Sequence, residues 1–168
     1  MLVLGIDPGL ATTGFAVVQE TRDKAQLLSY GCIRTPAGMP EPDRLVMLYR
    51  GVKELLAASA IDCLAIEKLF FNTNVTTALS VGQARGVVLL AAAEQSVDIA
   101  EYTPLQVKQA VAGYGRAEKV QVQRMVQSLL GLKEILRPDD AADAAAICLC
   151  HLQSYRFGGA VKRGEKGV

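Results

Sequence analysis

Histidine is nearly absent from this 168-residue chain: His151 stands alone, and the four cysteines (Cys32, Cys63, Cys148 and Cys150) form no Cys-x-x-Cys pair. That scarcity argues against a zinc site and predicts buried free thiols in a reducing compartment. Although 51% of the residues are hydrophobic, no apolar run reaches the roughly 18 residues of a membrane span. The chain opens directly on a strand-like run, so the expectation is a cytoplasmic protein without a secretory signal or a membrane partner. There is no internal repeat. Charge of one sign is also lacking overall, the net being +1, but its distribution is uneven. Over residues 102–133, Lys108, Arg116, Lys119, Arg124 and Lys133 stand against Glu118 alone. A polyanion would have to use this patch, whose other reading is a solvated helix surface.

What the chain does have is an order of short apolar runs fit for one domain. Leu2 to Asp7 reads as a buried strand ended by Pro8-Gly9. Thr12–Val18 and Ala25–Ile33 read as two further strands, the first joined to residues 2–7 by a hairpin. Leu45, Leu48, Tyr49, Val52, Leu55 and Leu56 mark one face of a helix over about 42–58. Asp62–Glu67 is a fourth strand, Val75–Ala93 a helix and Val97–Tyr102 a fifth strand. Thr103 with Gln106 predicts a capping box, with Pro104 at the first helical position of a helix that ends near Ala112. A helix over about 117–130 would bury Val122, Met125, Val126, Leu129 and Leu130, with Glu118 in its first turn. A last helix opens at Pro138-Asp139-Asp140 and runs to about Tyr155. Residues 1–156 are thus expected to be the domain and 157–168 a flexible tail. Three strands, then alternating helices and strands, predict an α/β fold with a mixed sheet covered on both faces.

The carboxylates carry the chemistry. Asp7 closes the first strand and either opens a turn before Pro8 or belongs to a site, because an acid leaving a core strand is costly unless it is paired. Glu67 ends the fourth strand in the same way. Asp140 and Asp143 share a helix face, where one of them with Asp139 could instead cap the helix and favour its positive end. The alanines at 141, 142, 144, 145 and 146 would let that helix lie tight on the sheet and bring its acids to the strand ends. Four carboxylates without His or Cys ligands select Mg²⁺ or Mn²⁺. They can hold two ions about 4 Å apart, an arrangement that hydrolyses phosphodiesters. Phe70 and Phe71 sit in a polar loop, where a ring can stack on an unpaired base or turn into the core. Gly82 and Gly86 cost their helix roughly 1 kcal/mol each, the return being close approach of another backbone within the domain or across a dimer. His151 lies inside the last helix and is read as structural.

Several of these pieces, in this order, resemble the RuvC family of bacterial Holliday junction resolvases over residues 1 to about 155. They are Gly5-Ile6-Asp7-Pro8-Gly9 with Gly14, Ile66-Glu67, Phe70, Val81–Val87 and Val107-Lys108-Gln109. Gly113 and Gly115, Ala117 with Lys119, Gln121-Val122 and Asp140-Ala141-Ala142-Asp143-Ala144 complete the set. The resemblance implies an RNase H-like fold of the retroviral integrase superfamily, with five strands and helices on both faces. It implies Asp7, Glu67, Asp140 and Asp143 as catalytic acids holding two Mg²⁺ ions, Mn²⁺ substituting. It places Lys108 and Lys119 near the cleaved strand and an aromatic, Phe70 or its neighbour Phe71, against junction bases. Asp139 is assigned to capping, Lys119 to the transition state, and Arg116 with Lys133 to phosphate positioning or solvent. It further implies paired symmetric nicks in four-way DNA junctions, 5′-phosphate and 3′-hydroxyl products, a homodimer, and partnership with the RuvA and RuvB branch-migration complex. Gly5-Ile6-Asp7 with Thr12-Thr13-Gly14 also resembles the phosphate loop of the actin/Hsp70/sugar-kinase superfamily, whose two-lobed members are roughly twice as long. A junction binder that does not cut is the other reading.

Overall fold

The computed structural model of the chain describes residues 1–22, 24–68 and 75–164. Its strands are β1 (Leu2–Asp7), β2 (Thr12–Thr21), β3 (Lys24–Arg34), β4 (Cys63–Glu67) and β5 (Asp98–Tyr102). Its helices are α1 (Glu41–Ala57), α2 (Val75–Glu94), α3 (Pro104–Ala112), α4 (Lys119–Leu129) and α5 (Asp139–Gly164). One sheet takes the order β3-β2-β1-β4-β5. β1, β2 and β3 form an antiparallel meander, while β4 pairs parallel with β1 and β5 parallel with β4. This is the expected hairpin-first mixed sheet, and it is RNase H-like.

The period of two in β1 divides the core. Leu4 and Ile6, with Leu64 and Ile66 of β4, pack under α1 and α2 against Leu48, Val52, Leu56, Ala84 and Val88. Val3 and Ala65 point the other way and pack under α5, against Ala144, Ala145 and Cys148, with Val107 of α3 and Val122 of α4 closing the flank. Asp7 and Glu67 keep the parity of Val3 and Ala65. Both acids therefore leave their strands on the α5 face. The register Ile6↔Ile66 sets those two strand ends side by side.

Some boundaries and faces differ from the sequence reading. β2 and β3 extend to Thr21 and begin at Lys24, because the polar residues between the two apolar runs continue the ladder to a tight reversal with Arg22 at φ +50°. In α4 and its C-cap, Val122, Val126 and Leu130 are buried, but Met125 and Leu129 are exposed. The helix lies at the flank of the core, where only a narrow stripe meets neighbours. Glu118 precedes α4 as its N-cap rather than sitting in its first turn, and its N–H donates to Gln121 Oε1 at 2.9 Å. α5 passes the expected end near Tyr155 and reaches Gly164, so the stretch expected as a tail from residue 157 begins in helix. The capping box at Thr103 and Gln106 is present, with bonds of 2.8 and 3.1 Å, and Gly113 ends α3 at φ +84°. Cys63, Cys148 and Cys150 are buried free thiols, whereas Cys32 is half-buried. Among the described residues no helix is long and apolar enough to cross a membrane.

Candidate active site

The acids come together because α5 lies against the sheet without a side chain between them. A Cβ on Gly5 would stand 2.2 Å from the carbonyl oxygen of Ala144 and 2.6 Å from Cys148 Sγ. One on Gly14 would stand 2.1 Å from the carbonyl oxygen of Asp140. Gly14 is the β2 partner of Asp7, so the first turn of α5 rests directly beside the end of β1. Sequence reasoning credited the alanines of α5 and missed these two glycines. Their signal was present, since a glycine inside a strand marks a close backbone approach.

The electrostatics report the same convergence. Burial first, then the charges of Asp143, Glu67 and Asp140, push the Asp7 carboxyl up to about 7, with Lys119 opposing. Glu67 is also raised, by burial and then by Asp143, while Lys108 pulls it back. Lys119, the first residue of α4, donates from Nζ to Asp143 Oδ2 at 2.9 Å and lies 3.7 Å from Asp139 Oδ2. The bond to Asp143 raises the Lys119 pKa, so the ammonium stays charged. Glu67, Lys108, Lys119 and Asp143 line one groove of about 250 Å³ with Val107 and Val122. Of the sequence-predicted residues, the groove is lined by two of the four acids and both lysines, while Asp7 and Asp140 are linked to them through the charges felt at Asp7. Arg116 and Lys133 are exposed. Phe70 and Phe71 lie outside the described residues. His151 is buried in α5 with Nδ1 2.8 Å from the Tyr102 hydroxyl, as a structural residue would be.

Asp139 is not the cap it was expected to be. The carbonyl of Pro138 accepts the first helical N–H groups, those of Ala141 and Ala142, and the Asp139 carboxylate instead pairs with Arg137 and Lys119. Arg137 already draws that carboxylate outward, which leaves it free of the helix end.

The donor set suits a hard divalent cation, being all carboxylate oxygen around a strand end where burial and like charge keep Asp7 from ionising freely. Among the described residues no three acid, His or Cys side chains already converge as a metal-binding group. Lys119 holds Asp143, and Lys108 offsets part of the charge at Glu67.

Comparison with known proteins gives one answer. The family model described as "Crossover junction endodeoxyribonuclease RuvC" matches residues 3–151. A crossover junction endodeoxyribonuclease RuvC of Moorella thermoacetica is 58% identical over 151 residues, covering 90% of each chain. One from Desulfitobacterium hafniense is 54% identical over 165 residues, covering 96% of this chain and all of that one. The structure of Thermus thermophilus RuvC in complex with Holliday junction substrate superposes with a TM-score of 0.89 at 42% identity, covering 94% of this chain and 96% of that one.

Proposed function

The chain belongs to the RuvC family of crossover junction endodeoxyribonucleases, and from that premise we propose that Asp7, Glu67, Asp140 and Asp143 are its catalytic acids. The observation that carries this reading is their meeting at one end of the sheet, where Asp7 feels the charge of all three others. The enzyme resolves four-way DNA junctions in recombination and repair by paired symmetric nicks. Asp7 and Glu67, fixed by strand ends, and Asp140 and Asp143, fixed by α5, would hold two Mg²⁺ ions, for which Mn²⁺ would substitute. When bound, such ions would supply activation of the water nucleophile and neutralisation of charge at the leaving oxygen. Water adds to phosphorus and the bond to the 3′ oxygen breaks, leaving a 5′-phosphate and a 3′-hydroxyl. Lys119 sits where negative charge builds on phosphorus. Lys108 and Arg116 hold backbone phosphates, and Phe70 or Phe71 stacks on a junction base. Residues 1–156 carry the activity, in the cytoplasm, together with the RuvA and RuvB branch-migration complex. Cleavage of a synthetic four-way junction, with Mg²⁺ and not with chelator, and no cutting of linear duplex of the same sequence, is the test.

Lys119→Ala is expected to lower the cleavage rate about ten-fold or more, with junction affinity nearly unchanged. Single-turnover kinetics beside binding isotherms separate the roles. A loss of affinity alone, with a salt slope flatter by about one phosphate, would make Lys119 a backbone contact instead.

Two nicks require two centres, so the enzyme works as a homodimer, and α2 is its contact face. Leu79 and Leu90 are 66% and 55% exposed, and a Cβ on Gly86 between them would meet nothing within 4 Å. In an isolated chain, Gly86→Ala would stabilise the helix by about 1 kcal/mol. Across a helix pair the same methyl group forces the backbones apart. Sedimentation equilibrium should show a weaker dimer for Gly86→Ala. A dimer of undiminished strength would place the contact elsewhere.

A further inference from the structure

The turn from β1 to β2 is held by two buried hydroxyls. Thr13 is fully buried, and its Oγ1 serves both backbone groups of Gly9: it donates to the Gly9 carbonyl at 2.6 Å and accepts from the Gly9 N–H at 3.3 Å. Thr35, buried just after β3, takes the next two carbonyls. Its Oγ1 donates to Leu10 O at 2.5 Å, and its N–H donates to Ala11 O at 3.1 Å. Arg44 of α1 donates from Nε to Thr35 Oγ1 at 2.8 Å, which directs the hydroxyl proton to Leu10. The Leu10 side chain is anchored in the core under α1 and α2. At Gly9 a Cβ would stand 2.4 Å from the Thr12 carbonyl oxygen. Each carbonyl from Gly9 to Ala11 is therefore taken, from β2 or from the residue that follows β3. A valine would fill the space of either threonine, so packing alone does not require the hydroxyls.

We propose that Thr13 and Thr35 are positioning residues for the metal centre, fixing the turn after Asp7 and with it the direction in which Asp7 meets Glu67, Asp140 and Asp143. The inference rests on the reading of Asp7 as a metal ligand. Like charges around Asp7 push its carboxylate away from the others, and a backbone that cannot yield keeps it in place until a cation arrives. Groups hydrogen-bonded to a metal ligand typically change affinity about 10–100-fold, and Thr13 and Thr35, acting one step further out through the backbone, are expected at the low end of that range.

The test uses Thr13→Val and Thr35→Val beside Thr13→Ser and Thr35→Ser in the full chain. Two quantities are read: the Mg²⁺ concentration that half-saturates the rise in thermal midpoint without DNA, and the one that half-saturates junction cleavage. Both should rise about ten-fold in the valine variants and return to the wild-type value in the serine variants. Junction affinity in chelator and the cleavage rate at saturating Mg²⁺ should stay near wild type, which a merely loosened fold would not give. Wild-type Mg²⁺ dependence in Thr35→Val, or serine variants as impaired as the valine ones, overturns the inference. Should Thr13→Val not fold, the Thr35 pair decides it. Asp7→Asn in the same series separates the two claims. If it loses the Mg²⁺ response while the valine variants keep theirs, the positioning role falls and the ligand stands. If it keeps the response, the ligand assignment falls.

Discussion

Asp7→Asn should lose junction cleavage at least about 100-fold, more than the loss of a mere orienting partner, and should make the metal-free protein more stable. Both effects have one cause. The carboxyl of Asp7 is pushed up to about 7 from 3.8, so between those values the folded state holds a proton that the unfolded state has released. The group's contribution is therefore greatest below about pH 4, falls as pH rises towards 7, and levels off above. A tenfold change in proton affinity between the two states corresponds to about 1.36 kcal/mol, so the charge costs the metal-free fold on the order of 4 kcal/mol at pH 8. Asparagine removes that cost and the ligand together. Measured in chelator, the difference in thermal midpoint between Asp7→Asn and wild type should grow from pH 4 to 7 and then stay level. Added Mg²⁺ should close the gap by stabilising the wild type alone, and more Mg²⁺ should be needed below pH 7, where the proton competes. A midpoint difference that does not change with pH would mean that Asp7 stands apart from Glu67, Asp140 and Asp143.

The second large effect is expected where there is no side chain. Gly14→Ala places a methyl group 2.1 Å from the Asp140 carbonyl oxygen, and that neighbour is backbone, which has no rotamer to change. Either α5 lifts or β2 bends. Overpacking of this kind costs about 1–3 kcal/mol, and a displacement of about 1 Å at a reacting centre can cost on the order of 100-fold in rate. Gly5→Ala meets Ala144 and Cys148 lower on the same helix, so it should cost more stability, because that contact lies deeper in the core. Gly38→Ala, which meets nothing within 4 Å, is the matched control. Denaturant unfolding and single-turnover cleavage of the three variants would check the order. A Gly14→Ala enzyme as stable and as fast as Gly38→Ala would refute the tight seating of α5.

The parts of the molecule that were legible in its sequence are those written in local pattern. The acids at the ends of two apolar runs, the stripe of α1 and the Thr103–Gln106 box each depend on residues within a few positions of one another, and each is in place. The order of the elements pointed to a mixed sheet covered on both faces, and the family motifs to its RNase H-like form. Less legible were features decided by neighbours far along the chain. Met125 and Leu129 have the spacing of buried residues, yet α4 has too little of the core beside it to cover them. Asp139 has the composition of a cap, but Arg137 is a better partner than the helix end. Gly5 and Gly14 explain the site only once α5 is laid across them, and Thr13 and Thr35 only once Gly9, Leu10 and Ala11 are seen to need donors.

The contact between α5 and β1 spans the chain: Cys148 Sγ donates to the carbonyl of Val3 across 145 positions. Contacts of such sequence separation form late, because the loop they close is long. During synthesis, β1 leaves the ribosome with Asp7 long before α5 can bring Asp140 and Asp143 to it, and domains fold largely as units. An incomplete chain thus carries Asp7 and Glu67 without the two acids of α5. With the four acids as the proposed centre, the capacity to cut DNA arises in the same step that closes the core, and a fragment lacking α5 is expected to be inert as a nuclease.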